Sequence, residues 1–203
     1  MCGFTGFLSR STPDVTALHA MGDSIAHRGP DEEGYYTDDH CAIAHRRLSI
    51  IDLAHGHQPM KSPDGRYILA YNGEVYNFQT LRSQLQQLGH TFLTNSDTEV
   101  VLHGYMEWGP DMAQKLRGMF AFVIWDNQTR TLYGARDPFG IKPFYYAPMG
   151  DLFFFGSELK SFLHHPGFQK ELNREALKFY LTFQYSALDE SFFKGVFRLL
   201  PGH

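Results

Sequence analysis

The sequence predicts an α+β fold of mainly antiparallel sheets with helices on their outer faces. Three observations lead there. Strand-like and helix-like segments are mixed along the 203 residues without regular β-α alternation, and neighbouring strands read as antiparallel pairs. Met119 to Trp125 (MFAFVIW) is continuously apolar, as expected of a central strand buried on both faces. Aromatic residues make up 15% of the chain, with 18 Phe and 11 Tyr, which calls for thick packing between layers.

Taken in order, the opening MCGFTGF alternates Phe4, Phe7 and Leu8 with small Gly3, Thr5 and Gly6. It reads as a short buried strand whose glycines let a substrate or another backbone come close. Val15 to Ala26 carries Val15, Leu18, Met21, Ile25 and Ala26 at near-helical spacing, and the loop His27-Arg-Gly-Pro-Asp31 ends that helix. Gly34 to Thr37 and Cys41 to Arg47 look like a hairpin, Leu48 to Leu53 an apolar edge, and His55 to Gly65 a polar loop. Tyr67 to Tyr71 reads as a strand stopped by the tight-turn dipeptide Asn72-Gly73. Asn77 is a good N-cap for a helix with Leu81, Leu85 and Leu88 on one face and Gly89 at its end. A short strand, Thr91 to Leu93, precedes Ser96 and Glu99, whose spacing matches a capping box for a helix running towards Trp108. Further strands are expected at Thr131 to Ala135, Phe144 to Ala147 and Leu152 to Phe155. A helix is expected to start at Ser157 to Lys160, and another, capped by Asn173, to reach about Phe183.

Composition narrows the function classes. Hydrophobic content of 43% and charged content of 20% are ordinary for a soluble globular protein. The net charge of −4, with no basic block, makes neither nucleic acid nor an anionic membrane an expected partner. No apolar run approaches the roughly 20 residues of a membrane span, and the N-terminus lacks a signal peptide's regions. Two cysteines, Cys2 and Cys41, are too few for a disulfide framework, so a cytoplasmic location is expected. Among eleven histidines, His55 with His57 and His164 with His165 lack the further ligands of a zinc site, so no metal is expected. No phosphate-cradling glycine motif is present, so nucleotide binding has no visible support.

The chemistry concentrates at the N-terminus. Removal of Met1 would leave Cys2 with a thiol and a free α-amine, a nucleophile and a general base in one residue. An α-amine titrates at about 8 and a free thiol at about 8.5, so the amine can accept a proton while the thiol is partly activated. On position alone, a cysteine here is usually just an ordinary residue of a frayed terminus.

The rest of the chain changes that balance. Met-Cys-Gly-x-x-Gly, His27-Arg-Gly-Pro-Asp31, His45-Arg-Arg-Leu-Ser-Ile50 and Tyr71-Asn-Gly-Glu-Val-Tyr-Asn77 resemble class II glutamine amidotransferase domains. Ser96-Asp-Thr-Glu99, Gly118-Met-Phe-Ala-Phe122, Ala135-Arg-Asp-Pro-Phe-Gly-Ile-Lys-Pro143 and Ser157-Glu-Leu-Lys160 single out the glutaminase domain of glutamine-hydrolysing asparagine synthetases. The resemblance runs over residues 1–203. It implies an N-terminal nucleophile hydrolase, a four-layer αββα sandwich, that releases ammonia from the side-chain amide of L-glutamine. It also implies a following ATP- and magnesium-dependent synthetase domain, which this sequence does not carry, so asparagine synthesis is not expected of this chain alone. No cofactor is expected in the glutaminase domain itself, and a homodimer is a possible assembly.

Carried over residue by residue, the resemblance makes Cys2 the nucleophile, and Asn72 with the Gly73 amide the oxyanion hole. Arg47 would clamp the substrate carboxylate, a task suited to its planar fork of donors. Asp97 and Glu74 would bind the substrate ammonium, while Leu48, Ser49, Ile50 and Ile51 would line the pocket. The plainer readings are a hairpin turn at Asn72-Gly73, a helix N-terminal acid at Asp97 and edge-strand packing at residues 48–51. Arg28 to Asp31 is given structural or domain-contact work, and Cys41 is read as a small buried apolar residue. Two other functions remain open: a docking module that hydrolyses glutamine poorly without a partner, and a related amidotransferase whose ammonia goes to a different acceptor.

Overall fold

The computed structural model describes residues 1–48, 56–185 and 188–203. Along the chain, β1 (Gly3–Ser9) is followed by helix α1 (Val15–Ser24), the hairpin β2 (Glu32–Thr37) and β3 (Cys41–Arg47), then β4 (Met60–Lys61) and β5 (Tyr67–Val75). Helices α2 (Phe78–Gln87), α3 (Asp97–Trp108) and α4 (Met112–Lys115) lead to β6 (Gly118–Asp126) and β7 (Thr131–Arg136). Then come β8 (Tyr145–Met149), β9 (Leu152–Gly156), helix α5 (Arg174–Phe183) and β10 (Phe197–Arg198). The strands form a six-stranded sheet, ordered β10-β8-β9-β1-β3-β2, and a four-stranded sheet, ordered β4-β5-β6-β7. Every strand pairing within them is antiparallel.

Side-chain alternation along the strands sorts the core into three apolar layers. Phe4 and Ile43 from the large sheet meet Ile68, Ala70, Ala121, Val123 and Trp125 from the small one, filling the space between the sheets. Phe7, Ala42, Ala44 and Phe154 face the other way, onto Leu18 and Met21 of α1 and Phe162. Leu69, Phe120, Phe122 and Ile124 pack outward against Leu81 and Leu85 of α2 and Val100, Val101 and Leu102 of α3. Helix, sheet, sheet, helix: this is the expected αββα order. Met119 to Trp125 lies in β6, flanked by β5 and β7, with alternate residues in two different cores.

Five local expectations are corrected. Asn72-Gly73 does not turn the chain; β5 runs through it to Val75, with Asn72 opposite Ala121 and Gly73 opposite Phe120. Glycine is needed there because a Cβ would sit 2.6 Å from the Met119 carbonyl oxygen and 2.8 Å from the Phe120 Cβ. Thr91 to Leu93 forms no strand; the Leu93 and Thr94 amides instead donate to the Glu99 carboxylate. That carboxylate is the missing half of the expected capping box, since Ser96 caps α3 through the Glu99 amide while Glu99 itself is occupied elsewhere. The segment after Ser157 is a 3₁₀ helix, Leu159–His164, rather than an α-helix. Asn77 precedes α2 but spends its side chain on the Lys115 carbonyl and the Arg117 amide. The apolar edge predicted over Leu48 to Leu53 falls, from residue 49 on, outside the described residues. No helix among the described residues is long and apolar enough to cross a membrane.

Candidate active site

At one end of the space between the sheets, β1, β3 and β5 leave a cavity of about 270 Å³. Register decides what enters it. Cys2 has the strand parity of Phe4, Arg47 that of Ile43, and Asn72 that of Ala70, so all three point between the sheets where the apolar filling stops. Cys2, Arg47, Asn72, Gly73, Glu74 and Asp97 all line the cavity, as does Leu48. The other predicted lining residues, Ser49, Ile50 and Ile51, lie outside the described residues.

The Cys2 thiol is half-buried and locked to one backbone position: the Leu48 amide donates to Sγ at 3.3 Å, and Sγ donates to the Leu48 carbonyl at 3.5 Å. Burial pushes the thiol above its ordinary value, opposed by the Leu48 hydrogen bond, the N-terminal charge and Arg47. Leu48 therefore contributes its main-chain N–H as well as a carbonyl.

Asn72 is 1% exposed, and its Nδ2 has no hydrogen-bond partner among the described residues. A buried amide donor left open is uncommon and calls for a ligand or a function. Beside it, the ladder aims the Gly73 backbone. Opposite Gly73, Phe120 turns both its N–H and its carbonyl to Asp137, at 3.3 and 2.8 Å, so this is a non-hydrogen-bonded pair of β5 and β6. The Gly73 amide thus points away from β6, on the side where the Tyr71 amide meets Gln58 Oε1 at 2.7 Å.

The charged wall is built from both sheets. Arg47, 5% exposed, donates from Nη1 to Glu32 at 3.0 Å, and His57 approaches the other Glu32 oxygen closely. Burial pushes Glu32 up, but hydrogen bonds from His57 and Arg47 outweigh it and hold the carboxyl low. Asp97 is the first residue of α3 and nearly buried; its Oδ2 accepts from the Tyr71 hydroxyl at 2.6 Å and the Val75 amide at 3.0 Å. Burial raises Asp97 in spite of those bonds. Asp97 therefore combines the helix N-terminal role with a place on the cavity wall. Glu74 is half-buried on β5.

Sequence reasoning missed His45, Tyr71 and Lys142, and gave Arg28 only structural or domain-contact work. Arg28 lies across Gly3, where a Cβ would meet its side chain at 2.6 Å; its Nε donates to the Cys2 carbonyl at 3.0 Å and its Nη1 to Glu158 at 3.0 Å. The HRGPD loop thus holds the Cys2 peptide. His45, fully buried, donates from Nε2 to the Tyr71 carbonyl at 3.0 Å, tying the two sheets together one residue before Asn72. Burial lowers His45 to about 4, against which the Tyr71 carbonyl works, so the ring is neutral. Tyr71 carries Asp97, and Lys142 closes the cavity from the loop after β7. The quoted motifs contain Arg28, His45, Tyr71 and Lys142, but their partners are 26 or more residues away, so no local pattern assigns them a task. Among the described residues no three His, Cys, Asp or Glu side chains converge as a metal site would require.

Comparison with known proteins bears on this geometry. The profile of the glutamine amidotransferase domain family matches residues 1–203. Asparagine synthetase [glutamine-hydrolyzing] 1 of Bacillus subtilis is 46% identical over 190 residues, 91% of this chain and 30% of that protein. Asparagine synthetase [glutamine-hydrolyzing] 3 of the same organism is 38% identical over all of this chain and 34% of its own length. Amidase chry2 of Gibberella zeae is 36% identical, over all of this chain and 32% of that protein. The chain therefore spans about a third of the length of these curated relatives. Among solved structures, the glutamine phosphoribosylpyrophosphate amidotransferase of B. subtilis superimposes with a TM-score of 0.66 at 25% identity, covering 79% of this chain and 43% of that one. With the full-length profile match and relatives of this similarity, the chain belongs to the class II glutamine amidotransferase domain family.

Proposed function

We propose that this domain hydrolyses the side-chain amide of L-glutamine to glutamate and ammonia, with Cys2 as nucleophile once Met1 has been removed. The observation that carries the reading is the open, buried Asn72 Nδ2 in the same cavity as the Cys2 thiol. In the reaction, the α-amine takes the thiol proton as Sγ attacks the amide carbon. The resulting oxyanion is held by Asn72 Nδ2 and the Gly73 amide, preset donors whose removal elsewhere costs about 3 kcal/mol each. The amine returns the proton to the departing ammonia, and water then cleaves the thioester to glutamate and free thiol. Arg47 would clamp the substrate carboxylate, Asp97 and Glu74 its ammonium, and Leu48 with residues 49–51 the stem.

Residues 1–203 act, in this reading, as one glutaminase domain without a cofactor of its own. The ammonia would pass to a synthetase-type domain, where ATP and magnesium would be needed. The second reading is a related amidotransferase whose ammonia goes to a different acceptor; a relative named as an amidase matches over all of this chain and 32% of its own length. Homodimer formation and a cytoplasmic location belong to the proposal as well. The test is glutamate release by proteins whose lack of Met1 is verified by mass. Cys2→Ala should be inactive and Cys41→Ala close to wild type. Turnover by Cys2→Ala would overturn the reading.

A further inference from the structure

Lys142 has an unusual position for a lysine. It is 4% exposed, lines the cavity beside Cys2, and its Nζ lies 3.0 Å from the Met1 Sδ. A thioether takes up no charge, and among the described residues Lys142 forms no salt bridge. Its backbone is pinned from both sides: the Lys142 amide donates to Asp137 Oδ2 at 3.0 Å, and its carbonyl accepts from Arg136 Nε at 2.7 Å. Asp137 also accepts from the Phe139 and Ile141 amides, so the loop carrying Lys142 has little freedom to withdraw it.

The surroundings of the Cys2 main chain are mixed in sign. Arg28 approaches from below β1 but is paired with Glu158, and Arg47 comes from β3 but is paired with Glu32. His45 is neutral, and Glu74 of β5 and Asp97 of α3 face the cavity from the opposite sheet. Asp97 is raised by burial, which weakens it as a counter-charge, and Asp137 is turned towards backbone amides. Lys142 itself is lowered by burial and by Arg28, while the Cys2 thiol, Glu74 and Asp137 work to keep its charge.

We propose that the Lys142 ammonium keeps the α-amine of processed Cys2 neutral, and so available to take the thiol proton. This rests on Cys2 being the nucleophile after Met1 removal. Losing Met1 removes the side chain that Lys142 Nζ contacts and leaves the new amine at Cys2, a residue that lines the same cavity as this cation. Two ammonium groups facing one partly buried cavity repel, so protonating the amine becomes harder. Lys142 acts through the amine and is a positioning residue, not a catalytic one.

The test is the pH profile of kcat/KM for wild type, Lys142→Met and Lys142→Arg, each confirmed by mass to lack Met1. The acidic limb should move up by about one pH unit in Lys142→Met, an about tenfold loss at neutral pH that disappears at alkaline pH. Lys142→Arg should keep the wild-type limb. A uniform loss at every pH, or an unmoved limb in Lys142→Met, would overturn the proposal. Independently of any variant, the ¹⁵N resonance of the wild-type Cys2 amine should titrate below its ordinary value of about 8, and a midpoint at or above it would also overturn the proposal. Wild type that releases no glutamate would instead refute the glutaminase reading itself.

Discussion

Strands β1 and β3 run antiparallel, with Gly3 opposite Arg46 and Leu8 opposite Cys41, so the two cysteines mark opposite ends of one strand pair. Burial raises both thiols, yet their neighbours differ. At Cys41 the nearby Asp38 pushes the thiol further up; at Cys2 the Leu48 amide, the N-terminal charge and Arg47 pull it back. The polar groups differ in the same sense. Asp38 is saturated, accepting from the Cys41 and His40 amides, the Tyr36 hydroxyl and the Trp125 indole. At the Cys2 end, Arg28 Nη2, His45 Nδ1 and Asn72 Nδ2 are buried with no partner among the described residues. One end of the strand pair has its polar groups satisfied, and the other keeps buried polar atoms open, as the proposed chemistry would need. A cysteine's role is thus set by what surrounds it rather than by burial alone.

Breaking the open end should cost activity. The largest effect after loss of the nucleophile is expected for Asn72→Ala. Its kcat should fall about 10²–10³-fold with KM little changed, because in the proposed reaction the donor acts on charge that develops only in the transition state. Steady-state kinetics with glutamine will read this, and a rise in KM at constant kcat would assign Asn72 to ground-state binding.

A second contrast concerns pH. His45 is neutral and buried, with its value lowered from the ordinary 6.5 to about 4, so the unfolded chain takes up the proton more readily. Stability is therefore full above the ordinary value and declines as pH falls towards the folded one, by about 3 kcal/mol when complete. His45→Gln keeps a donor for the Tyr71 carbonyl without titrating, and should flatten that part of the decline in denaturant titrations. Asp97, raised by burial, changes stability in the opposite sense and does so in both proteins. An unchanged slope in His45→Gln would remove His45 from the account. The smallest effect belongs to the finished end: Cys41→Ala should lower stability by about 1 kcal/mol through a small cavity, with glutamine hydrolysis preserved.

The same contrast explains what the sequence revealed. Layering was legible because it rests on apolar alternation and on one continuous run, Met119 to Trp125, whose residues serve two cores at once. Asn72-Gly73 was misread because a turn and a crowded strand make the same local demand for glycine. Only the cross-strand Met119 carbonyl and Phe120 side chain distinguish them. Cys2, Arg47, Asn72, Gly73, Glu74 and Asp97 were named from motifs, and the fold gathers them at one cavity. Arg28, His45 and Lys142 act through contacts made by folding, such as Arg28 to the Cys2 carbonyl, and no spacing rule reaches that far.

The most direct test of the central claim is intact-mass analysis before and after a glutamine-mimicking electrophile, with peptide mapping of the adduct. The account predicts a chain lacking Met1 and a single adduct on Cys2, blocked by excess glutamine. Retained Met1, or labelling at Cys41 alone, would contradict it.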